Sequence, residues 1–454
     1  MPELPEVETI RRNLHSIILN EVIDECIVYY RPIVSNDLTF EKKLKGQKIN
    51  DIQRQAKYLK FILDDYVLIS HLRMEGKYFM DAFKSKHIHV VFKFKSGHTL
   101  SYEDTRKFGR FELIDIKDKD TYLHDVKKLA PDPNKIDLNT FYLSIKTRNK
   151  TIKEILLDQT IIGGIGNIYA NEILYLSKIH PSKKGFLITY EESKTLLDYS
   201  NIVLNKAILM GGSTIDTYES LGHKGMFQQE LKVHGKNNET CKVCGDKIKK
   251  YQLKGRGTYI CPTCQKSHII AITGGIATGK TTATNYLRKK GFVVIDADLI
   301  VHELYKNESF SYIIGKTFNA LTGNILDKQK LASVIFSNKK HKKKLEDIIH
   351  PLVYNEIEKQ KASLNEHILF LDIPLLFESN YSTYDESILI DTSSTLQLTR
   401  LMDRNKLNEQ EAMKRIKAQM PLSKKRKLAT LIIKNTSSKE ALYNKLDQIL
   451  ERYK

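Results

Sequence analysis

Apolar residues at the start of the chain recur at helical spacing. Val7, Ile10, Leu14, Ile17 and Ile18 fall on one side, and Pro5 suits a first turn, predicting a helix over 5–19. The period then shortens to two. In His87-Ile88-His89-Val90-Val91-Phe92-Lys93-Phe94 the residues Ile88, Val90, Phe92 and Phe94 alternate onto one face, and such runs predict a β-rich module over 1–130. Leu129-Ala130-Pro131-Asp132-Pro133 reads as a linker. Helical patterns follow at 152–159, 167–179 and 191–210, within a helical module over 131–226. Short strands, glycines and paired cysteines fill 227–266. A buried parallel strand begins at Ile269-Ile270-Ala271-Ile272-Thr273 and feeds a Gly-rich turn. Strand-like runs at 292–295, 367–372 and 387–391 then alternate with helical segments, so 267–454 reads as an α/β domain with a parallel sheet. The junction is short, residues 266–268.

Composition adds a partner class without deciding it. The chain has 454 residues, long enough for several cores, and 73 Lys and Arg against 54 Asp and Glu give a net charge of +19. Clustered cations gain affinity for polyanions by releasing counterions, although a Lys-rich solvated surface would look the same. No stretch approaches the ~20 apolar residues of a membrane span. Glu3, Glu6 and Glu8 stand where a secretory signal carries positive charge, which points to the cytoplasm. Of five cysteines, Cys26 lies alone in an apolar run and reads as packing. The other four form Cys241-x2-Cys244 and Cys261-x2-Cys264, 16 residues apart, the spacing of two knuckles closing one structural Zn²⁺ site with no open position for chemistry.

The opening Met1-Pro2-Glu3-Leu4-Pro5-Glu6 admits two readings. It is a stiff lead-in whose acids favour a helix amino end, or, with Met1 removed, it exposes Pro2 as a secondary amine. Freed, that amine has a pKa near ~8 and can attack an electrophilic carbon, with Glu3 placed to move protons beside it.

The segments that follow decide between them. Residues 1–266 closely resemble the bacterial formamidopyrimidine-DNA glycosylases, through the Pro-Glu opening, Arg54-Gln55-Ala56-Lys57-Tyr58, His71-Leu72-Arg73-Met74-Glu75-Gly76, Asp104-Thr105-Arg106-Lys107-Phe108-Gly109, Gly163-Gly164-Ile165-Gly166-Asn167 and Lys254-Gly255-Arg256-Gly257-Thr258-Tyr259. The resemblance implies a β-sandwich, a helix-two-turn-helix module and a zinc-finger hairpin acting on double-stranded DNA. Such enzymes excise oxidised purines such as 8-oxoguanine and cut the abasic strand by β,δ-elimination. It implies that Pro2 attacks the deoxyribose C1′, that Glu3 is the acid near the sugar, and that Lys57 assists elimination. A target nucleotide must leave the stack and its place be filled. Met74 and Phe108 would be the wedges, Arg106 would hold the orphaned cytosine, and Asn167, His71, His89, Arg148 and Arg256 would make further DNA contacts. Arg73, Glu75 and Asn171 depart from many relatives. The sister branch preferring oxidised pyrimidines shares the Pro-Glu opening, but Leu4, the Met74/Arg106/Phe108 set and the four cysteines favour the purine branch.

In the last domain Gly274-Gly275-Ile276-Ala277-Thr278-Gly279-Lys280-Thr281 satisfies the P-loop pattern between a strand and a helix. Its amides would cradle phosphates, Lys280 would reach the β and γ oxygens, and Thr281 would bind Mg²⁺, with Thr282 following in the helix. Residues 269–454 resemble dephospho-CoA kinase through this loop, Asp296-Ala297-Asp298, Ile349-His350-Pro351, Asp372-Ile373-Pro374-Leu375-Leu376-Phe377-Glu378 and Gln397-Leu398-Thr399-Arg400-Leu401. The resemblance implies ATP with Mg²⁺, dephospho-CoA as acceptor, Asp298 as base, and Arg400 and Arg404 in a lid that neutralises phosphate charge. Ala277-Thr278 replaces the commoner Gly-Ser, and Lys328 stands where relatives often have Arg. The expected whole is a fusion of two independent enzymes. Against it stand a zinc-finger DNA-binding protein with a P-loop regulator, and one machine driven by ATP hydrolysis.

Overall fold

The computed structural model describes residues 2–81, 85–213 and 225–453, in two compact units, residues 1–265 and 266–454. Met1, whose removal the Pro2 reading requires, lies outside the described residues.

The first unit opens with the helix Leu4–Ile18, whose apolar side (Val7, Ile10, Leu14, Ile18) is buried. It packs with two antiparallel four-stranded sheets. One runs in the order Ile23–Val28, Ile88–Phe94, Thr99–Glu103, Lys77–Met80, the other Asp51–Gln55, Tyr58–Ile62, Tyr66–His71, Arg110–Asp115. Phe92, Tyr102, Phe61 and Phe111 fill the core they share. Cys26 is buried in that core, as packing requires. The strand Ile88–Phe94 is covered on both faces, because His89 and Val91, opposite the alternating apolar set, are also buried.

The connection at 129–133 is tied into the structure. Leu129, Ala130 and Asp132 are buried, and the Asp132 carboxylate accepts from the Ala56 amide (2.9 Å) and the Arg54 guanidinium (2.7 Å). Arg54 also pairs with Glu8 at 3.0 Å, so one guanidinium links the opening helix, the hairpin after it and the connection. The helices Leu138–Lys146, Ile152–Leu157, Asn167–Leu176 and Tyr190–Leu209 then bury a second core. Leu138–Lys146 escapes the periodicity reading because only Phe141 and Ile145 are buried along its nine residues. The unit ends in a hairpin, Lys249–Leu253 and Arg256–Ile260, whose turn residues Lys254 (φ 48°) and Gly255 (φ 74°) are both left-handed, matching the twist of paired strands.

The second unit is a five-stranded parallel sheet in the order Val293–Asp296, Ile368–Asp372, His268–Gly274, Glu386–Asp391, Leu431–Lys434. Among the described residues no helix is long and apolar enough to cross a membrane.

Candidate active sites

The amino-terminal site is built where the opening helix meets the start of the helix Asn167–Leu176. Pro2 and Glu3 are buried. The Glu3 carboxylate accepts from the amides of Gly166 (2.6 Å), Ile168 (2.9 Å) and Tyr169 (3.4 Å), so the unpaired donors of a helix end are taken by the protein's own anion. Gly166 lets it come so close, and the glycines before it make room for neighbouring groups. A Cβ on Gly166 would lie 2.3 Å from the Glu3 carboxyl carbon, one on Gly164 2.4 Å from Leu4, and one on Gly163 2.7 Å from the Ala130 carbonyl. The glycine run thus makes room for protein groups. Burial raises the Glu3 carboxyl to about 7, with Lys57 opposing and Glu6 adding to the rise.

Lys57 is buried and donates to the Ile165 carbonyl at 2.9 Å. Burial lowers its pKa, partly offset by Glu3 and Glu6. Its anchor is itself clamped by Gln159, which accepts from Gly164 N–H and donates to Ile165 O, each at 2.9 Å. Glu6 accepts from the Glu3 amide (2.8 Å), the Tyr169 hydroxyl (2.5 Å) and the Ser213 amide (2.7 Å). Sequence reasoning missed both clamps, since each works across more than a hundred residues or through a backbone atom. The Glu3/Glu6 spacing was the one local signal.

Lys153 was also missed. It is buried, and its ammonium donates to Asn171 (2.9 Å), Gly257 O (3.0 Å) and Thr258 (2.8 Å), joining the helical module to the hairpin. Burial lowers it to about 7, against Glu3 and together with Arg256. Asn167 donates to Gly257 O at 3.1 Å. Arg256 opens its strand at an exposed position.

The expected wedges are accessible. Phe108 is 47% exposed, with the Arg106 guanidinium 4.9 Å over its ring, and Met74 is half-buried. The loop of Arg106 and Phe108 is templated by the fully buried Asp104 carboxylate, which accepts from the amides of Arg106 (3.0 Å), Phe108 (2.8 Å) and Gly109 (2.7 Å). His71 is buried beside Tyr58, accepts from the Arg73 amide at 3.0 Å, and is lowered by burial to about 3, so it is neutral. His89 is buried with its Nε2 2.8 Å from the Asp104 carbonyl. Arg148 is half-buried and donates to Ser144 O at 2.8 Å.

Cys241, Cys244, Cys261 and Cys264 converge, their sulfurs all within 4.8 Å of one another and the pairs Cys241/Cys264 and Cys244/Cys261 at 3.9 and 3.3 Å. Tetrahedral zinc with ~2.3 Å Zn–S bonds spaces its sulfurs by about 3.8 Å, so the four fit one ion.

In the second unit a cavity of about 550 Å³ is lined by residues 274–282, Asp298, Pro374, Arg400, Arg404 and Gln419. Thr281 and Thr282 open the helix Lys280–Lys289 on its rim, and Thr278 is buried. Lys280 pairs with the buried Asp372 at the end of the neighbouring strand. Gln397 donates to Ile276 O (2.9 Å), Gln419 accepts from Ile276 N–H (2.8 Å), and Asn435 donates to Thr278 O (2.8 Å) and accepts Arg400 through its carbonyl (3.0 Å). Arg404 donates to Asn405 at 3.0 Å. The two aspartates after the second strand divide their work. Asp296 caps its helix (3.0 and 3.2 Å) and pairs with Arg288 (3.2 Å), leaving Asp298 to face the cavity. Burial raises the Asp298 carboxyl, opposed by Lys280 and reinforced by Asp296 and Asp372.

Comparison with known proteins agrees with this division. Family models match for the formamidopyrimidine-DNA glycosylase N-terminal domain (residues 1–111), its H2TH domain (129–219), the zinc finger found in FPG and IleRS (238–266) and dephospho-CoA kinase (268–440). The formamidopyrimidine-DNA glycosylase of Streptococcus pneumoniae is 44% identical over 273 residues, 59% of this chain and 99% of the relative. That of Lactococcus lactis subsp. cremoris is 44% identical over 274 residues, 59% of this chain and all of the relative. The Lactococcus lactis enzyme solved with DNA containing an abasic site is 43% identical with a TM-score of 0.56, covering 58% of this chain and all of that one. A variant of it solved with a Fapy-dG containing DNA is 42% identical, also at 0.56, covering 59% of this chain and all of that one. The chain belongs to the formamidopyrimidine-DNA glycosylase family and continues into a dephospho-CoA kinase domain.

Proposed function

We propose that the first unit excises oxidised purines, 8-oxoguanine and formamidopyrimidines, from double-stranded DNA and cleaves the resulting abasic strand. The observation that carries this reading is the Glu3 carboxyl, buried beside Pro2 and held near neutral pKa, with Lys57 close enough to perturb it. In this reading the freed Pro2 amine attacks C1′ of the deoxyribose, the C1′–N bond breaks and the base leaves with its electron pair, taking up the proton that the proline nitrogen sheds. Protonated Glu3 supplies a proton to the sugar oxygen as the ring opens, giving the iminium from which β- and δ-elimination follow. Arg106, Phe108 and Met74 hold the DNA opened, while Asn167, Arg256, His71, His89 and Arg148 act on or support the backbone contacts. The structural zinc fixes the hairpin that presents Arg256. Incubation with an 8-oxoguanine:cytosine duplex and borohydride tests this. A covalent adduct is expected from wild type and none from Pro2→Gly, and a wild type without adduct refutes it.

The second unit, in the same proposal, transfers the γ-phosphoryl group of ATP to the ribose 3′-hydroxyl of dephospho-CoA. Asp298 accepts the hydroxyl proton, the P-loop amides and Lys280 hold the phosphates, Thr281 serves Mg²⁺, and Arg400 and Arg404 offset charge developing on the transferred group. The cavity that joins Asp298 to the loop supports it. Lys280→Ala should abolish conversion of dephospho-CoA to CoA, and a fully active variant would refute the assignment. Both reactions belong to the cytoplasm, where reduced thiols favour zinc ligation.

A further inference from the structure

The helix Asn167–Leu176 grips the zinc hairpin and the segment leading to it at three levels. At its middle, the buried Glu172 carboxylate accepts the amides of Lys232 (2.7 Å), Val233 (3.0 Å) and His234 (2.8 Å). One residue earlier, Asn171 meets the His234 ring nitrogen at 2.7 Å. One turn beyond Asn171, Tyr175 is buried with Val233, Ile248, Cys241 and Cys261, and its hydroxyl lies 3.1 Å from the Cys241 sulfur. The first two contacts hold backbone and imidazole, whereas the third reaches a metal ligand.

We infer that Tyr175 belongs to the second sphere of the zinc site, its phenol donating a hydrogen bond to the Cys241 thiolate. A zinc-bound cysteine carries no proton, so the hydroxyl must be the donor. A hydrogen bond to a thiolate withdraws charge from sulfur, which leaves it less nucleophilic and less easily protonated off the metal. It also ties the metal, through Cys241, to the helix whose first amides hold Glu3, so occupancy of the zinc site and order at the amino-terminal site share one element. Packing alone would be served equally by phenylalanine.

The test is Tyr175→Phe in the full chain, which keeps the ring and removes the donor. Elemental analysis of wild type first establishes one zinc per chain, and a zinc-free wild type would overturn the inference together with the zinc assignment. Zinc transfer to a chromophoric chelator should be about 10-fold faster from the variant, the lower end of what loss of an outer-sphere partner does to metal affinity. In the cobalt-substituted protein the sulfur-to-metal charge-transfer band should move to lower energy, because a thiolate without its donor is more electron-rich. An unshifted band would overturn the hydrogen bond even if zinc left faster, since lost packing moves the rate and leaves the band in place. Unchanged transfer rates would overturn the inference outright.

Discussion

The turns at 163–166 and 274–279 both deliver the chain to the start of a helix, where unpaired amides favour negative charge, yet one is closed and the other open. In the first, Glu3 supplies the anion and Gly166 admits it. In the second, the loop faces a cavity and is braced by Gln397, Gln419 and Asn435. A glycine-rich helix entry therefore does not by itself specify a phosphate. What specifies it is whether another part of the chain reaches the amides first.

The sharpest way to break this contrast is Gly166→Ala, whose Cβ would meet the Glu3 carboxylate at 2.3–2.6 Å. Displacement of a catalytic group by ~1 Å costs on the order of 10²-fold, so single-turnover excision should fall by that factor while dephospho-CoA phosphorylation is unchanged. Gly279→Ala is the counterpart, with φ at +95° and a Cβ 2.2 Å from the Asn435 amide nitrogen. It should lower phosphorylation by roughly 10-fold to 10²-fold through weaker ATP binding, leaving excision intact. Loss of both activities in either variant would end the claim of separate sites.

The closed turn should also carry a pH signature that the open one lacks. With Glu3 near 7, excision that needs its protonated form should decline above about pH 7, approaching tenfold per unit, and Glu3→Gln should abolish that limb. Because the native carboxyl is raised above its ordinary 4.5, the folded state binds the proton more tightly. Its stabilising contribution is full below about 4.5 and is lost as pH rises to about 7, so denaturant titrations of the Glu3→Gln chain should show a flatter profile in that window. The smallest effect is expected at Ala277, a non-glycine residue at φ 59° in the open loop. Ala277→Gly should stabilise the second unit by about 0.5 kcal/mol, read as a small rise in its thermal midpoint.

What could be read from the sequence follows the range of the interactions. The opening helix, expected over 5–19 and found at Leu4–Ile18, depends on spacing within one element. The cysteine knuckles and the P-loop are likewise local patterns, and both sets of residues converge in space. Glu6, Lys153 and Asp372 were not legible as site residues, because their roles rest on partners brought close only by the fold, Ser213, Gly257 O and Lys280, whereas Gln159 acts on the nearby Ile165 through a backbone atom that side-chain patterns do not report. The linker reading of 129–133 gave the place of the connection but not its burial, since chain punctuation says where direction changes, not whether the segment is exposed. Asp132 there is ion-paired and buried.

Asp104 has a consequence for the thermodynamics of recognition. With three amides fixed on one buried carboxylate, the segment carrying Arg106 and Phe108 has surrendered its backbone freedom during folding, not at the encounter with a duplex. In the proposed role of this segment at an opened base pair, only side-chain rotamers would remain to be frozen on binding, so more of the gross contact energy would survive as affinity.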